Sequence, residues 1–251
     1  MPSDMLEVIR GEGFATVAFN RPERLNALLP EMLAAFDEAM ADLDADPSVE
    51  VVILTGRGRA FCAGLDVDML KAHGSIAIAG FNPARTISAW RGPVIAAING
   101  PAVTGGFEIT VACDIILAAE SARFVDTHSR VGLFPGWGLS ARLQRAIGIY
   151  RAKELELTGR SLSAREAADW GLANRVVPDA DLLDIAEAMA LSIVSGVKGI
   201  AAPTKELIDG GSLLPLEGAL AYERDFAKRN RERAGGDLRF DHVGSSRAHA
   251  G

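Results

Sequence analysis

Thr104-Gly105-Gly106-Phe107-Glu108 sets a single carboxylate two residues beyond a glycine pair, directly after the apolar run Val94–Ile98 and the breaker Asn99-Gly100-Pro101. Glycines here let the backbone pass close to something without a side chain in the way. Phe107 to Ala112 reads as the start of a helix, so Glu108 falls in its first turn. The free N–H groups of such a start make a site for negative charge. An acid at this position also serves as simple compensation of the helix dipole, and that reading stays beside the reactive one. A second segment repeats the pattern, since Ala63-Gly64-Leu65-Asp66 follows the apolar run Val49–Thr55, with Asp66 as N-cap of a helix through Leu70. Ends of neighbouring parallel strands lie on one side of a sheet, so two helix-start N–H groups can meet one oxygen as an oxyanion hole. Two tight strand-to-helix loops explain the same residues.

The other reactive side chain is His128, in the polar stretch Asp126-Thr127-His128-Ser129-Arg130 at a strand end. A histidine supplies acid or base near neutral pH, and as often is a satisfied structural residue. Asp126, His128, Ser129 and Ser140 would suit a serine hydrolase, but the sequence has no Gly-x-Ser-x-Gly elbow. Gly56-Arg57-Gly58-Arg59 starts like a dinucleotide fingerprint and lacks the third glycine, where Phe61 stands. Four histidines and two distant cysteines, Cys62 and Cys113, give no metal-site spacing, so no metal is expected. Arg21, Arg24, Arg57, Arg59 and Lys71 fall near the first two strand ends and would form a local anion patch.

The elements that must position these residues belong to an α/β chain. Leu6–Arg10 and Phe14–Asn20 read as a hairpin around Gly11-Glu12-Gly13. Pro30 opens a helix whose Leu33, Phe36, Met40 and Leu43 share a face, and Asp46-Pro47 ends it. Residues 74–92 are low in pattern and read as a mobile segment over a pocket. Ile115–Ala119 and Ala122–Val125 read as strands, and Gly132 to Gly138 as a rigid glycine-proline loop. Leu139–Ile147 and Tyr150–Leu157 read as helices split at Gly148, and Ser163-Ala164-Arg165-Glu166 as a capping box. From Leu182 the chain turns helical: Leu182–Ser195, Ile200–Asp209 and Leu216–Arg231. Strands first and helices last suggest a core over 1–195, a helical assembly region over 196–233, and a poorly ordered tail over 234–251. Leu216, Leu220 and Phe226, at helical spacing, are expected to bury apolar surface between subunits.

The chain has 251 residues, 49% hydrophobic and 24% charged, the profile of an ordinary globular protein. Its net charge of −7 argues against nucleic acid as the main partner. No apolar run approaches the ~18 residues of a membrane span. The start MPSDMLEVIRGEG has neither a basic nor an apolar signal region, and a cytoplasmic location is expected.

Several of these stretches, taken in order, resemble the crotonase (enoyl-CoA hydratase/isomerase) superfamily. They are Arg21-Pro22 with Asn26-Ala27-Leu28, Ala60 to Asp66, Pro93 to Gly100, Thr104 to Asp114, and Gly132-Leu133-Phe134-Pro135-Gly136. The resemblance covers roughly residues 5 to 225. It implies a spiral of β-β-α units with a helical C-terminal trimerisation region, assembled as a homotrimer or a dimer of trimers. It implies an acyl-CoA or enoyl-CoA thioester as ligand, with coenzyme A as part of the substrate and no separate cofactor. The thioester carbonyl would accept from the N–H groups of Leu65 and Gly105. Arg24, Ala63, Gly64, Leu65, Asp66, Val67, Asp68 and Gly105 would line the CoA and substrate site, with Arg24 near the phosphates.

Hydratases of this superfamily use two glutamates around the added water. Glu108 matches the first; counting from Phe124 to Gly132 sets His128 where the second would stand. The activity this implies is addition of water to a trans-2-enoyl-CoA, with Glu108 and His128 as the catalytic pair. The alternatives are a non-catalytic acyl-CoA-binding protein of the same fold and another reaction of the superfamily, such as isomerisation.

Overall fold

The computed structural model describes residues 4–231. It divides into two compact units between Leu191 and Ser192. The expected tail over 234–251 lies outside the described residues.

In the first unit, β1 (Leu6–Arg10) and β2 (Phe14–Phe19) form the antiparallel hairpin read from the sequence. β2 also pairs in parallel with β3 (Val51–Gly56), β3 with β4 (Val94–Ile98), β4 with β6 (Ile115–Ala119) and β6 with β9 (Arg175–Val177), giving the sheet order β1-β2-β3-β4-β6-β9. β2, β3 and β4 are buried along their whole length, which is why they read as unbroken apolar runs. A second sheet joins β5 (Pro101–Val103) in parallel to β7 (Arg123–Val125), and β7 in antiparallel to β8 (Ser161–Ser163). Single parallel bridges Leu28↔Leu65 and Cys62↔Ala102 extend that layer toward the earlier turns of the chain.

The chain therefore repeats one unit: a long strand, a short extended piece in the second layer, then a helix. α1 (Pro30–Ala45) follows β2 and Leu28; α2 (Val67–His73) follows β3 and the Cys62–Leu65 stretch. The segment read as mobile is instead built of a 3-10 turn over Ser75–Ile78 and α3 (Pro83–Ala89), with Pro83, Ala84, Ile87 and Trp90 buried. Gly74 and Pro83 are helix punctuation: Gly74 ends α2, and Pro83 opens α3 behind the Asn82 cap. α4 (Gly105–Thr110) follows β4 and β5, and α5 (His128–Val131) follows β6 and β7. His128 is thus the first residue of a helix rather than part of a strand end. α6 (Leu139–Ile147) and α7 (Ile149–Thr158) are split at Gly148, and α8 (Ala164–Asp169) begins with the reciprocal Ser163–Glu166 capping box. α9 (Leu182–Val194) buries Leu182, Ala186 and Ala190.

The second unit holds α10 (Ala201–Ser212) and α11 (Leu216–Arg229). Leu216 and Leu220 are exposed, as an assembly face requires, but Phe226 is buried, its ring tilted against Tyr222 with centroids 6.0 Å apart. Phe226 therefore packs within its own unit and is not available to a partner.

One buried polar residue ties the first turn of the spiral to the second. Asn26 is fully buried with φ +57°, and its Nδ2 donates to Arg57 O at 2.9 Å and Ala60 O at 2.8 Å. Its Oδ1 accepts from Arg21 N at 2.8 Å. These bonds fix the loop that feeds Cys62 to Asp66. Asn26→Ala leaves all three backbone groups without that partner, each costing about 1–3 kcal/mol where it is buried. The expected loss is ~3 kcal/mol by urea denaturation; a change below ~1 kcal/mol would show that water replaces the amide.

Candidate active site

The two strand-to-helix turns meet through backbone. Cys62 N donates to Pro101 O at 3.1 Å and Val103 N to Cys62 O at 2.8 Å. A methyl group on Gly106 would lie 2.4 Å from Cys62 O, and one on Gly64 would lie 2.9 Å from Val103 O. Neither contact is tolerable, so both positions require glycine. Burial pushes the Cys62 thiol up to about 12, which leaves it an unreactive packing group.

This packing sets Gly64 against the Val103–Gly105 turn. Leu28 N bonds Gly64 O and Leu28 O accepts from Asp66 N, at 2.7 and 3.0 Å. In a parallel bridge of that pattern the N–H of Leu65 points away from Leu28. Gly105 N is the next neighbour on the Gly64 side, 3.7 Å from where a Gly64 methyl would stand. Thr104, just before it, holds φ +51° and ψ −105°, a conformation that costs a non-glycine residue about 1–3 kcal/mol. That conformation is held from the next turn of the spiral: Thr104 N donates to Val125 O at 2.8 Å, and the Thr104 and Thr127 hydroxyls are 2.5 Å apart.

Glu108 lies in α4 with only 3% of its surface exposed. Its Oε1 accepts from Trp137 N at 2.7 Å and more weakly from Leu139 N at 3.4 Å. The glycine-proline loop thus returns its backbone to the carboxylate. The Trp137 ring also covers Gly105, where a methyl would stand 2.9 Å from Cζ3, and its Nε1 donates to Phe81 O at 2.9 Å. Glu108 Oε2 faces His128 Nε2 at 3.6 Å, and His128 Nδ1 is 2.6 Å from Asp126 Oδ1. Asp126 and His128 are buried as well. Burial raises the Glu108 carboxyl above its ordinary value, and neither the Trp137 N–H nor His128 fully offsets it.

The residues near the Asp66 turn are arranged differently. Asp66 is buried, and its Oδ1 accepts from Asp68 N and Met69 N at 3.0 and 3.2 Å, as an N-cap should. Burial alone would raise its carboxyl, but the Met69 N–H, Arg21 and the Asp68 N–H outweigh it and hold it below the usual range. Arg21 pairs with Asp66, Arg24 with both Asp66 and Asp68, and Arg57 with Glu7. Three cations of the expected anion patch therefore already face acids. Arg21, Arg24, Pro30, Asp66, Asp68 and Met69 line a cavity of about 580 Å³. Ala63, Gly64 and Leu65 do not line this cavity, and Val67 is exposed. Among the described residues no cluster of three or more acids, histidines or cysteines is arranged to hold a metal. None of their helices is long and apolar enough to cross a membrane.

The candidate residues Glu108 and His128 are thus brought together, and Gly64, which precedes Leu65, packs against the Val103–Gly105 turn. What the sequence reading missed is that Asp126 touches the His128 ring and that Trp137 donates to Glu108. The first had a signal in the i, i+2 spacing of an acid and a histidine. The second is a backbone group, which no side-chain pattern reveals.

The family model for enoyl-CoA hydratase/isomerase matches residues 10–234. The chain belongs to this family. It is 40% identical over 217 residues to the probable enoyl-CoA hydratase 1, peroxisomal, of Arabidopsis thaliana, covering 86% of this chain and 82% of that one. The short-chain-enoyl-CoA hydratase of Clostridium acetobutylicum is 36% identical, with 87% and 86% covered. Among solved structures, the enoyl-CoA hydratase of Bacillus anthracis matches with a TM-score of 0.85 at 34% identity, over 89% of this chain and 90% of that one. The crotonase spiral and an enzyme of the crotonase type follow from these matches.

The raised Glu108 carboxyl has a consequence for this family member's stability. A carboxyl with a folded value above its unfolded value stabilises the fold below the unfolded value, near 4.5, and loses that contribution as pH rises through the folded one. Glu108→Gln cannot ionise, yet it can still accept from Trp137 N. Between about pH 4.5 and pH 8 the parent should therefore lose more thermal stability than the variant. Melting curves at both pH values check this, and equal losses would mean that Glu108 is not destabilised as the carboxylate.

Proposed function

We propose that this chain is an enoyl-CoA hydratase, adding water across the double bond of a trans-2-enoyl-CoA. The single observation that carries the reading is the approach of Glu108 Oε2 to His128 Nε2 at 3.6 Å, both buried beside the Gly105 turn. A water lodged against both groups has one partner to take its proton and another to supply one. Names of relatives over most of the chain support the same reaction.

In this reading the Glu108 carboxylate takes a proton from water as the oxygen bonds to the β-carbon. The electron pair of the double bond moves to the thioester oxygen, which accepts from Leu65 N–H and Gly105 N–H. Each such donor is typically worth about 3–4 kcal/mol in the transition state. The α-carbon then takes the proton on His128 Nε2, and the enolate returns to thioester. Glu108 is left protonated and His128 neutral, and a proton passing between Oε2 and Nε2 restores both. Trp137 N holds the Glu108 carboxylate in place and leaves Oε2 for the reaction.

CoA binding along Arg24 and Ala63 to Asp68 belongs to the same proposal. The cavity beside Arg24 and Asp66 supports it, with the phosphates competing against Asp68 for the Arg24 guanidinium. No separate cofactor is needed for the steps above. We further propose a trimer or dimer of trimers in the cytosol, with the exposed Leu213, Leu216 and Leu220 covered between subunits.

Glu108→Gln should cut kcat on crotonyl-CoA at least ~10²-fold with little change in acyl-CoA affinity. Loss of the ultraviolet absorbance of the conjugated enoyl thioester follows the reaction. Acyl-CoA binding by calorimetry without any turnover of short or long enoyl-CoAs would favour the non-catalytic alternative. Sedimentation at micromolar concentration checks the assembly, and a clean monomer would refute it.

A further inference from the structure

Asp126 is assigned no part in the proposed hydration, yet it is 1% exposed and makes the shortest contact His128 has. β7 ends at Val125, the chain turns through Asp126 and Thr127, and α5 begins at His128. One oxygen of Asp126, Oδ1, accepts the backbone N–H of His128 at 3.0 Å and meets its ring Nδ1 at 2.6 Å. An ionised carboxylate only accepts, so a contact this short needs the proton on Nδ1. The bond to the backbone N–H alone would make Asp126 an ordinary turn residue. The second bond, to the ring, selects among the states of His128.

With Nδ1 carrying a proton, Nε2 is left facing Glu108 Oε2 at 3.6 Å. A bare Nε2 lone pair against an ionised Oε2 would repel it. The pair is relieved when one proton is held by either atom. The line Asp126, His128, Glu108 therefore holds one mobile proton, located at the end where substrate would bind. The groups facing His128 that titrate are these two acids, one on each ring nitrogen.

We propose that Asp126 is a positioning residue that fixes His128 in the Nδ1–H form, so that Nε2 alone exchanges a proton with Glu108 and the substrate. Its kinetic arm rests on the hydratase reading; its structural arm does not. The Asp126 carboxylate also offsets the positive charge of His128 when Nε2 holds the proton.

Two experiments on the full chain test this. In the first, nitrogen-15 NMR of the imidazole reports the tautomer in the unmodified protein. Nδ1 should carry a proton throughout the folded pH range, and a neutral His128 protonated on Nε2 instead would overturn the proposal. In the second, Asp126→Asn keeps an oxygen for the backbone N–H and removes the charge. It should lower kcat at least ~10-fold with KM within ~2-fold. In a His128→Ala background the same change should have no further effect on kcat. An equal loss in both backgrounds would make Asp126 a structural residue only. If the parent shows no hydration, the hydratase reading fails and the NMR result alone decides the role of Asp126; if Asp126→Asn does not fold, it decides likewise.

Discussion

Everything in the site depends on two backbone turns packed against each other without side chains between them. Gly106 against Cys62 O and Gly64 against Val103 O bring the Cys62–Gly64 stretch and the turn from β5 into α4 closer than any Cβ allows. The two turns come from equivalent positions in successive repeats, each leading from the second layer into a helix. The next repeat sets the first residue of α5, His128, opposite Glu108 of α4, with Nε2 3.6 Å from Oε2. An arrangement assembled from three consecutive turns thus needs no long-range coincidence. It follows from the pitch of the coil and from glycine at two positions.

That packing is maintained by polar links that run from turn to turn. Asn26 holds the loop before Cys62, Thr104 and Thr127 join the starts of α4 and α5, and Trp137 N returns from the following loop to Glu108. The strained backbone of Thr104 persists because its N–H, its hydroxyl and its carbonyl are all engaged: Val125 O, Thr127 and Glu108 N take them. Loss of any one link would be felt at the level of the two turns, since backbone in van der Waals contact cannot shift independently.

Much of this was legible in the sequence, for definite reasons. Buried parallel strands such as Val51–Gly56 and Val94–Ile98 show as unbroken apolar runs. Asp66, Ser163 and Gly148 are local capping or breaking signals whose physics needs no tertiary partner. The glycine pair and Glu108 marked the site. Of the second layer only β7 showed, as Ala122–Val125; β5 and β8 were hidden because they are three residues long, and β5 begins at Pro101, which reads as a turn. Residues 74–92 looked patternless because two short helices, each with its own punctuation, do not sustain a period. Phe226 had the spacing of an interface residue, but spacing gives a face and not what covers it; Tyr222 and its own unit do.

Three titratable side chains, Glu108, Asp126 and His128, persist here nearly without solvent. A buried unpaired charge costs several kcal/mol, so the fold must either neutralise these groups or surround each with partners. Asp126 Oδ1 meets the backbone N–H and the ring Nδ1 of one residue, and Glu108 Oε1 accepts from the backbone of the returning loop. Only the Oε2–Nε2 end is left at 3.6 Å, longer than a hydrogen bond. The deficit is therefore concentrated at one point rather than spread over the cluster, and burial expresses it as the raised carboxyl of Glu108. A site that must accept a proton from water and release it again gains from such a carboxyl, because proton transfer is most effective when donor and acceptor are close in basicity. The same residue that weakens the fold at high pH is the one whose chemistry the fold is built to hold.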